Sequence, residues 1–365
     1  MNNGYKNSAA VLAALALYAF GSGASLADAG HDESDPRPDD HAPIGVMGDH
    51  RHAAGEWMLS YRFMRMDMAG NRVGTDSISP EAIATTIPNR FSDRPGQPPT
   101  LRVVPTEMTM DMHMFGLMYA PSDRVTLMLM SNYLEKEMDH ITFAGGMGSE
   151  RLGTFTTRSS GFGDTGASAL VGLLERGRHS VHATLGVSLP TGSNTERDRI
   201  LTPMGTRPKP RLPYPMQLGS GSWSGIVGLT HVWRGDRVSA GSQWRSLIRL
   251  HENDQGYTLG DEHRLTGWAA WRFAPRLSLS ARLEGLRRGN IDGIDPNIVA
   301  PVQTADPDRQ KIERVDFGLG INFAAAGRLD GHRLAVEWLT PVHQELDGPQ
   351  LETDWTLTVG WQYAF

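Results

Sequence analysis

Methionine and histidine are the residues of this chain whose spacing could do chemistry. Met58, Met64 and Met66, then Met110, Met112, Met114 and Met118, then Met128 and Met130 recur at even intervals in three stretches. Thioether sulfur is a soft donor that suits Cu(I), and imidazole accepts copper in either common oxidation state. His31, His41, His50 and His52 crowd one polar stretch near the N-terminus and could supply a capture site, with His113 or His140 beyond it. The candidate metal ligands are therefore His50, His52, Met110, Met112, Met114, Met128 and Met130, with copper as the candidate ion. The plainer alternative is that methionine fills apolar gaps and that two alternating histidines in a loop are merely solvated.

Other chemistry finds less support. There is no cysteine, which removes disulfides, thiolate metal sites and cysteine nucleophiles, and suits a chain that crosses an oxidising periplasm. No GxSxG elbow, HExxH pair or GxxxxGK[ST] loop occurs, so no enzyme is expected, although a triad dispersed in sequence would leave no motif. A net charge of −6 gives no sign of a nucleic-acid partner.

The elements that must position these residues alternate with period two. Between Thr106 and His140 two alternating runs flank the turn Pro121-Ser122-Asp123-Arg124. Phe115, Leu117 and Tyr119 share one face and the methionines the other, as in an antiparallel hairpin. The plan recurs at 55–67, 161–174 with 180–189, 222–233 with 238–251, 263–273 with 277–288, 312–323 with 333–340, and 352–365. That makes about twelve strands, with short turns alternating with long Gly- and Pro-rich loops, the plan of a transmembrane antiparallel β-barrel. If the aromatic rows face lipid, the methionines line the inner wall; if they do not, Glu107, Asp111 and His113 become the inward row. Charges on the presumed inner rows, Arg62, Arg245, Arg249, Arg282, Glu284, Arg314, Asp316, Arg333 and Glu337, are expected to pair across the lumen, where rings of them could tune selectivity.

Alternation alone would also fit a soluble sandwich. The N-terminus argues for the barrel: Lys6, an apolar run from Ala9 to Phe20 and the tail GSGASLADA read as a secretory signal peptide, cut after Ala29 or after Ala27. The expected organisation is residues 1–29 as signal peptide, 30–54 as an irregular arm rich in His and Asp, and 55–365 as the barrel.

The segment from Gly161 to Ser193 carries Gly161, Gly163, Asp164 and Pro190-Thr191-Gly192, and there the chain resembles the outer-membrane proteins named for a MetA pathway of phenol degradation. The resemblance implies an outer-membrane barrel and passage of small, often aromatic compounds, and transfers no site residue. The Met- and His-rich opening third departs from the family's ordinary members. Asp164 reads as a turn or luminal residue rather than a catalyst. Phe365, closing a strand of alternating aromatics, resembles the signal read by the machinery that assembles such barrels. Together these readings predict a barrel in the outer membrane of a Gram-negative bacterium, contacting its lipids and acting as a channel or transporter for a small molecule or a metal ion. The alternatives are a copper-binding barrel and, behind it, a barrel enzyme.

Overall fold

The computed structural model describes residues 37–365; the expected signal peptide, its cleavage site and His31 lie outside them. The strands are β1 (Trp57–Gly74), β2 (Asp76–Ser77), β3 (Val103–Ser122), β4 (Val125–Phe143), β5 (Arg151–Phe162), β6 (Thr165–Arg176), β7 (His179–Leu189) and β8 (Ser224–Arg234). They continue with β9 (Val238–Arg249), β10 (Tyr257–Thr258), β11 (Glu262–Ala274), β12 (Leu277–Arg288), β13 (Asp292–Gly293), β14 (Ile312–Ala324) and β15 (His332–Ala364).

Eleven of these strands form one closed ring, in the order β15-β14-β12-β11-β9-β8-β7-β6-β4-β3-β1, with β1 returning to β15. Every pairing in the ring is antiparallel, and an odd number of such staves cannot close. The parity is restored by β15, whose residues 333–346 pair with β14 while residues 350–364 pair with β1. It doubles back near Asp347, its two legs joined by the Trp338–Trp355 ring stack and by Gln344 bonded to Thr353. Counted twice, it brings the ring to the twelve staves expected. The loop expected at 342–351 is thus the tip of a continuous hairpin.

Two further boundaries differ from expectation. Residues 151–162, most of which lie between the runs expected to end at His140 and to resume at Gly161, form β5, which pairs with residues 133–143 of β4 while β6 pairs with residues 125–130. In the last leg, Asp354 belongs by strict alternation to the inner row, yet it is exposed and Thr353 is buried. The cause is a bulge: Asp67 faces Trp355 but Met68 faces Thr353, so one residue is skipped and the faces exchange.

The outer surface is the apolar one. Leu59, Phe115, Leu127, Leu129, Leu185, Leu229, Trp244, Trp271, Leu279, Leu319, Trp338 and Val359 are all exposed, at least one from almost every stave, and they make a continuous girdle. A soluble protein does not expose apolar surface on this scale, whereas a barrel in lipid must. No helix among the described residues is long and apolar enough to cross a membrane.

The two ends of the barrel are built differently. At one end the turns are short, for instance 123–124, 177–178 and 275–276, and Trp57 and Phe365 exchange both backbone hydrogen bonds at 2.9 Å. At the other end the long connections fold over the rim as a cap. The cap has cores of its own: Phe91, Tyr214, Tyr257, Ile291, Ile298 and Val302 in one, and Ile83, Leu101, Val104, Ile141 and Phe143 in another. The second core includes the short helix α1 (Pro80–Thr86), started by Ser79 accepting from the Ala82 amide and by proline at its first turn.

Candidate functional site

The lumen is plugged from the turn end by the N-terminal arm. Arg37 donates to the Gly235 carbonyl in one turn, and Ala54 donates its amide to Asp123 in another. Both ends of the segment 37–54 therefore sit at the rim, with the middle inside. Gly45 donates to Glu337 at 2.8 Å, Arg333 donates to the Ala42 carbonyl at 2.6 Å, and the Gly48 carbonyl accepts from His182 at 2.9 Å. Ala42 and Val46 pack on Val232 and Trp268. A side chain at Gly360 would meet Ile44 at 2.6 Å, so the barrel wall is cut back where the plug passes. Residues 37–54 of the arm carry no helix or strand and are seated in the lumen.

Inside the plug three histidines stack edge to face, His41 on His50 with centroids 4.6 Å apart and His50 on His52 at 4.9 Å. Asp49 lies among them, its carboxylate accepting from His50 Nδ1 and from the Ala42 amide, both at 2.9 Å. Burial, with Arg333 and His50 nearby, holds the His41 imidazole well below its usual range, and burial with His50 holds His52 down at about 3. Burial would raise the Asp49 carboxyl, but the charge and hydrogen bond of His50, with His41 and Arg333, outweigh it and keep the group ionised. The structure thus brings His41, His50 and His52 together, and adds Asp49.

Beyond the plug the lumen has two unlike walls. On the staves β11, β12, β14 and β15 the charges pair: Arg264 bonds Glu262 at 2.8 Å and Glu284 at 2.6 Å, Arg282 lies 3.2 Å from Glu284, and Arg314 bonds Asp316 at 3.0 Å. Arg282 also approaches Glu337 to 2.9 Å, an ion-pair distance without hydrogen-bond alignment. Arg245 is half-buried, with Arg264, Glu262 and Glu284 as its charged neighbours, and Arg249 donates to Ser224. Arg62, across the barrel, reaches Met47 of the plug at 3.8 Å. Arg264 and Glu262, central to this network, escaped the sequence reading although Arg264 alternates with inward Thr266 and Trp268.

The opposite wall, on β1, β3 and β4, is methionine. Met58 pairs with Met118, Met64 with Met112, Met66 with Met110 and Met68 with Met108; Met118 continues to Met128 and Met108 to Met138. Phe115, Leu127 and Leu129 on the alternate positions are exposed, so the methionines face inward. Met114 and Met128 are buried, whereas Met110, Met112 and Met130 keep partial exposure on the inner face. At its lower end the wall meets the plug, where Met58, Met118, Met128 and Leu170 cluster beside Gly48. At its upper end Met108 and Met138 pack with Leu212 and Met216 of the cap.

Leu212 also lines a cavity of about 670 Å³ in the cap, whose walls include Val103, Phe155, Ile200, Pro213 and Val299. His140 stacks on Phe155 at 4.6 Å with rings nearly parallel, and both face this space. Sequence reading placed no pocket here, since its walls come from four separate connections. Two cap anchors were missed for the same reason. Arg102 is fully buried and donates to the carbonyls of Ala84, Ala144, Gly145 and Gly148. Lys136 donates to those of Pro215 and Gln217.

Asp164 ties the end of one connection to another. Its two oxygens accept from the Gly192 amide, the Ser220 amide and the Ser220 hydroxyl, and Thr191 donates to the Gly163 carbonyl. A Cβ at Gly192 would stand 2.7 Å from the Cα of Gly219 and 2.9 Å from that of Gly163, a packing only glycine permits.

The fold and its lipid-facing girdle define the class: this is a transmembrane β-barrel of the outer-membrane type. No family model matches the chain, and no curated protein matches it, so the family resemblance read from Gly161 to Ser193 stands no further than the barrel. Among solved structures, an outer membrane channel from Pseudomonas putida F1 is similar with a TM-score of 0.57 and 15% identity, over 88% of this chain and 100% of that one. A Pseudomonas aeruginosa FadL homologue (TM-score 0.40, 9% identity, 85% of this chain and 90% of that one) is more distant. So is a deltaS2 mutant of the TodX monoaromatic hydrocarbon channel (0.43, 7%, 87% and 92%). At such identities the first likeness concerns the fold alone.

Proposed function

We propose that the protein is a plugged channel that admits a small, largely apolar solute at the cap and passes it along the methionine wall. The observation that carries this reading is continuity. An apolar cavity of about 670 Å³ shares Ile200 and Leu212 with the cluster at the top of the methionine wall, and that wall runs down to the plug. A cavity of this size suits a small ligand, and flexible thioether side chains offer an apolar surface that adapts to many shapes. A barrel whose only task was structural would not need partly exposed methionines along its inner face. Liposome uptake is the test: entry of small apolar probes faster than of sugars of equal size is expected. A barrel that passes neither would overturn the reading, and hydrolysis of ester or lipid substrates by the purified protein would move it to the enzymes.

A second reading, passage of a soft cation such as Cu(I), is supported by the inward facing of Met110, Met112, Met114, Met128 and Met130. It predicts Cu(I) binding by the folded protein that is lost when these five become leucine, while uptake of apolar probes persists.

A further inference from the structure

The plug holds three imidazoles whose hydrogen bonding is incomplete in the same way. His50 gives Nδ1 to Asp49, and its Nε2 is buried with no partner; the side chain is only 10% exposed. His52 turns Nδ1 toward Glu56 at 3.4 Å, and its Nε2 is likewise buried and unpartnered, with 5% exposure. His41 has an unpartnered buried Nδ1. Buried polar atoms nearly always find a partner, so three orphan nitrogens on neighbouring rings point to a missing one. A carboxylate on one ring nitrogen fixes the tautomer and aims the other nitrogen's lone pair, the usual support of a metal-binding histidine. His50 has that arrangement, and His52 approaches it.

One ligand atom from each of His41, Asp49 and His50 already lies within 4.8 Å of the others. We infer that the plug carries a metal site in which the unpartnered nitrogens of His41, His50 and His52 hold one divalent transition ion of the imidazole-preferring kind, with Asp49 on His50 Nδ1 as the carboxylate that orients that ring. Three imidazole nitrogens, with a fourth position left to water, form a set suited to Zn(II) and its neighbours Cu(II) and Ni(II). Arg333 on the Ala42 carbonyl and Arg62 on Met47 place positive charge near the site; Asp49, Glu56 and Glu337 oppose it. The ion would staple residue 41, where the arm enters the lumen, to residues 49–52, where it leaves, and so lock the plug. This inference rests on neither solute reading, since it concerns the arm and not the path beside it.

The experiment is calorimetric titration of Zn²⁺ alone into chelator-stripped mature protein folded in detergent, with Co²⁺ absorption as a second readout. One equivalent bound, with a tetrahedral cobalt spectrum, is expected. H41A and H50A should each weaken binding at least tenfold, and D49N by roughly 10- to 100-fold. An unchanged heat-dependent gel shift would certify the barrel, and H50Q replaces H50A if the alanine variant does not fold. A control double variant, H179A/H231A, removes the exposed stacked pair at the turn end and should leave binding unchanged. Wild-type protein that binds no zinc, binding that survives H41A and H50A, or binding lost in the control would each overturn the site.

Discussion

The two closures of this barrel are made from opposite materials. At the loop end the cap is an apolar structure, with two hydrophobic cores and a buried arginine tying its strands and loops. At the turn end the plug is held chiefly by polar bonds to the wall, to Glu337, Arg333, His182, Gln243 and Thr126. The difference has a physical consequence. Apolar packing is lost only by exposing the whole core to water, whereas a hydrogen bond to the wall can be exchanged for one to water at small net cost. On this ground the cap is expected to be the more firmly held of the two closures, and the plug the more readily displaced.

Deleting residues 37–54 should break the comparison most severely. Planar-bilayer conductance is expected to rise from near silence to open-pore steps, with the cap intact by limited proteolysis. If conductance stays silent, the Met108, Met138, Leu212 and Met216 cluster seals the lumen instead, and the cap is the gate.

The next effect is on the wall that grips the plug. Glu337 is almost fully buried, accepts from Gly45 and faces Arg282. E337A leaves that arginine with half its compensation and should cost about 3 kcal/mol in denaturant unfolding of the refolded barrel, the size expected when one partner of a buried pair is removed. E337Q should retain the Gly45 bond and recover part of the loss.

The cap should respond to pH where its tyrosines do. Burial raises the Tyr257 phenol to about 12, and Tyr214 beside it is raised as well, again by burial first. A folded-state pKa raised above the unfolded value of about 10 means stability that is full below pH 10 and lost as pH climbs through 12. Protease sensitivity of the cap loops should therefore rise between pH 10 and 12, in step with tyrosinate absorbance. In Y257F the rise should shrink toward the residual contribution of Tyr214.

The smallest change is expected between the two closures. Replacing Met110, Met112, Met114, Met128 and Met130 by leucine keeps apolar volume nearly constant and should cost less than ~1.5 kcal/mol per site. Its effect should appear in uptake, as a narrower range of probes admitted, because leucine adapts its shape less than a thioether chain does.

Much of this was legible in the chain itself. Period-two alternation sorted the residues into two rows, because the pleat leaves each strand residue only two directions, but which row faces lipid stayed open until the closed barrel placed Leu59, Phe115 and Leu127 outside and Met58, Met118 and Met128 inside. The same logic grouped Arg62, Arg245, Arg249, Arg282, Glu284, Arg314, Asp316, Arg333 and Glu337 as one row; among the described residues Arg282, Glu284, Glu337, Arg314 and Asp316 form ion pairs, whereas Arg62, Arg245, Arg249 and Arg333 are held by other contacts. It failed at Asp354, where one bulged residue reversed the faces, and at 342–351, where a tight hairpin carries no long loop. What alternation cannot encode is which distant segments share a space. His41, Asp49 and His50 are close in sequence, yet their environment comes from Arg333 and the surrounding wall, and the cap cavity joins residues from Gly96 to Val302. A strand's faces follow from local stereochemistry. The seating of an irregular arm and the folding of loops over a rim depend on contacts between segments up to nearly three hundred residues apart, such as Gly45 with Glu337, and only the closed barrel brings those together.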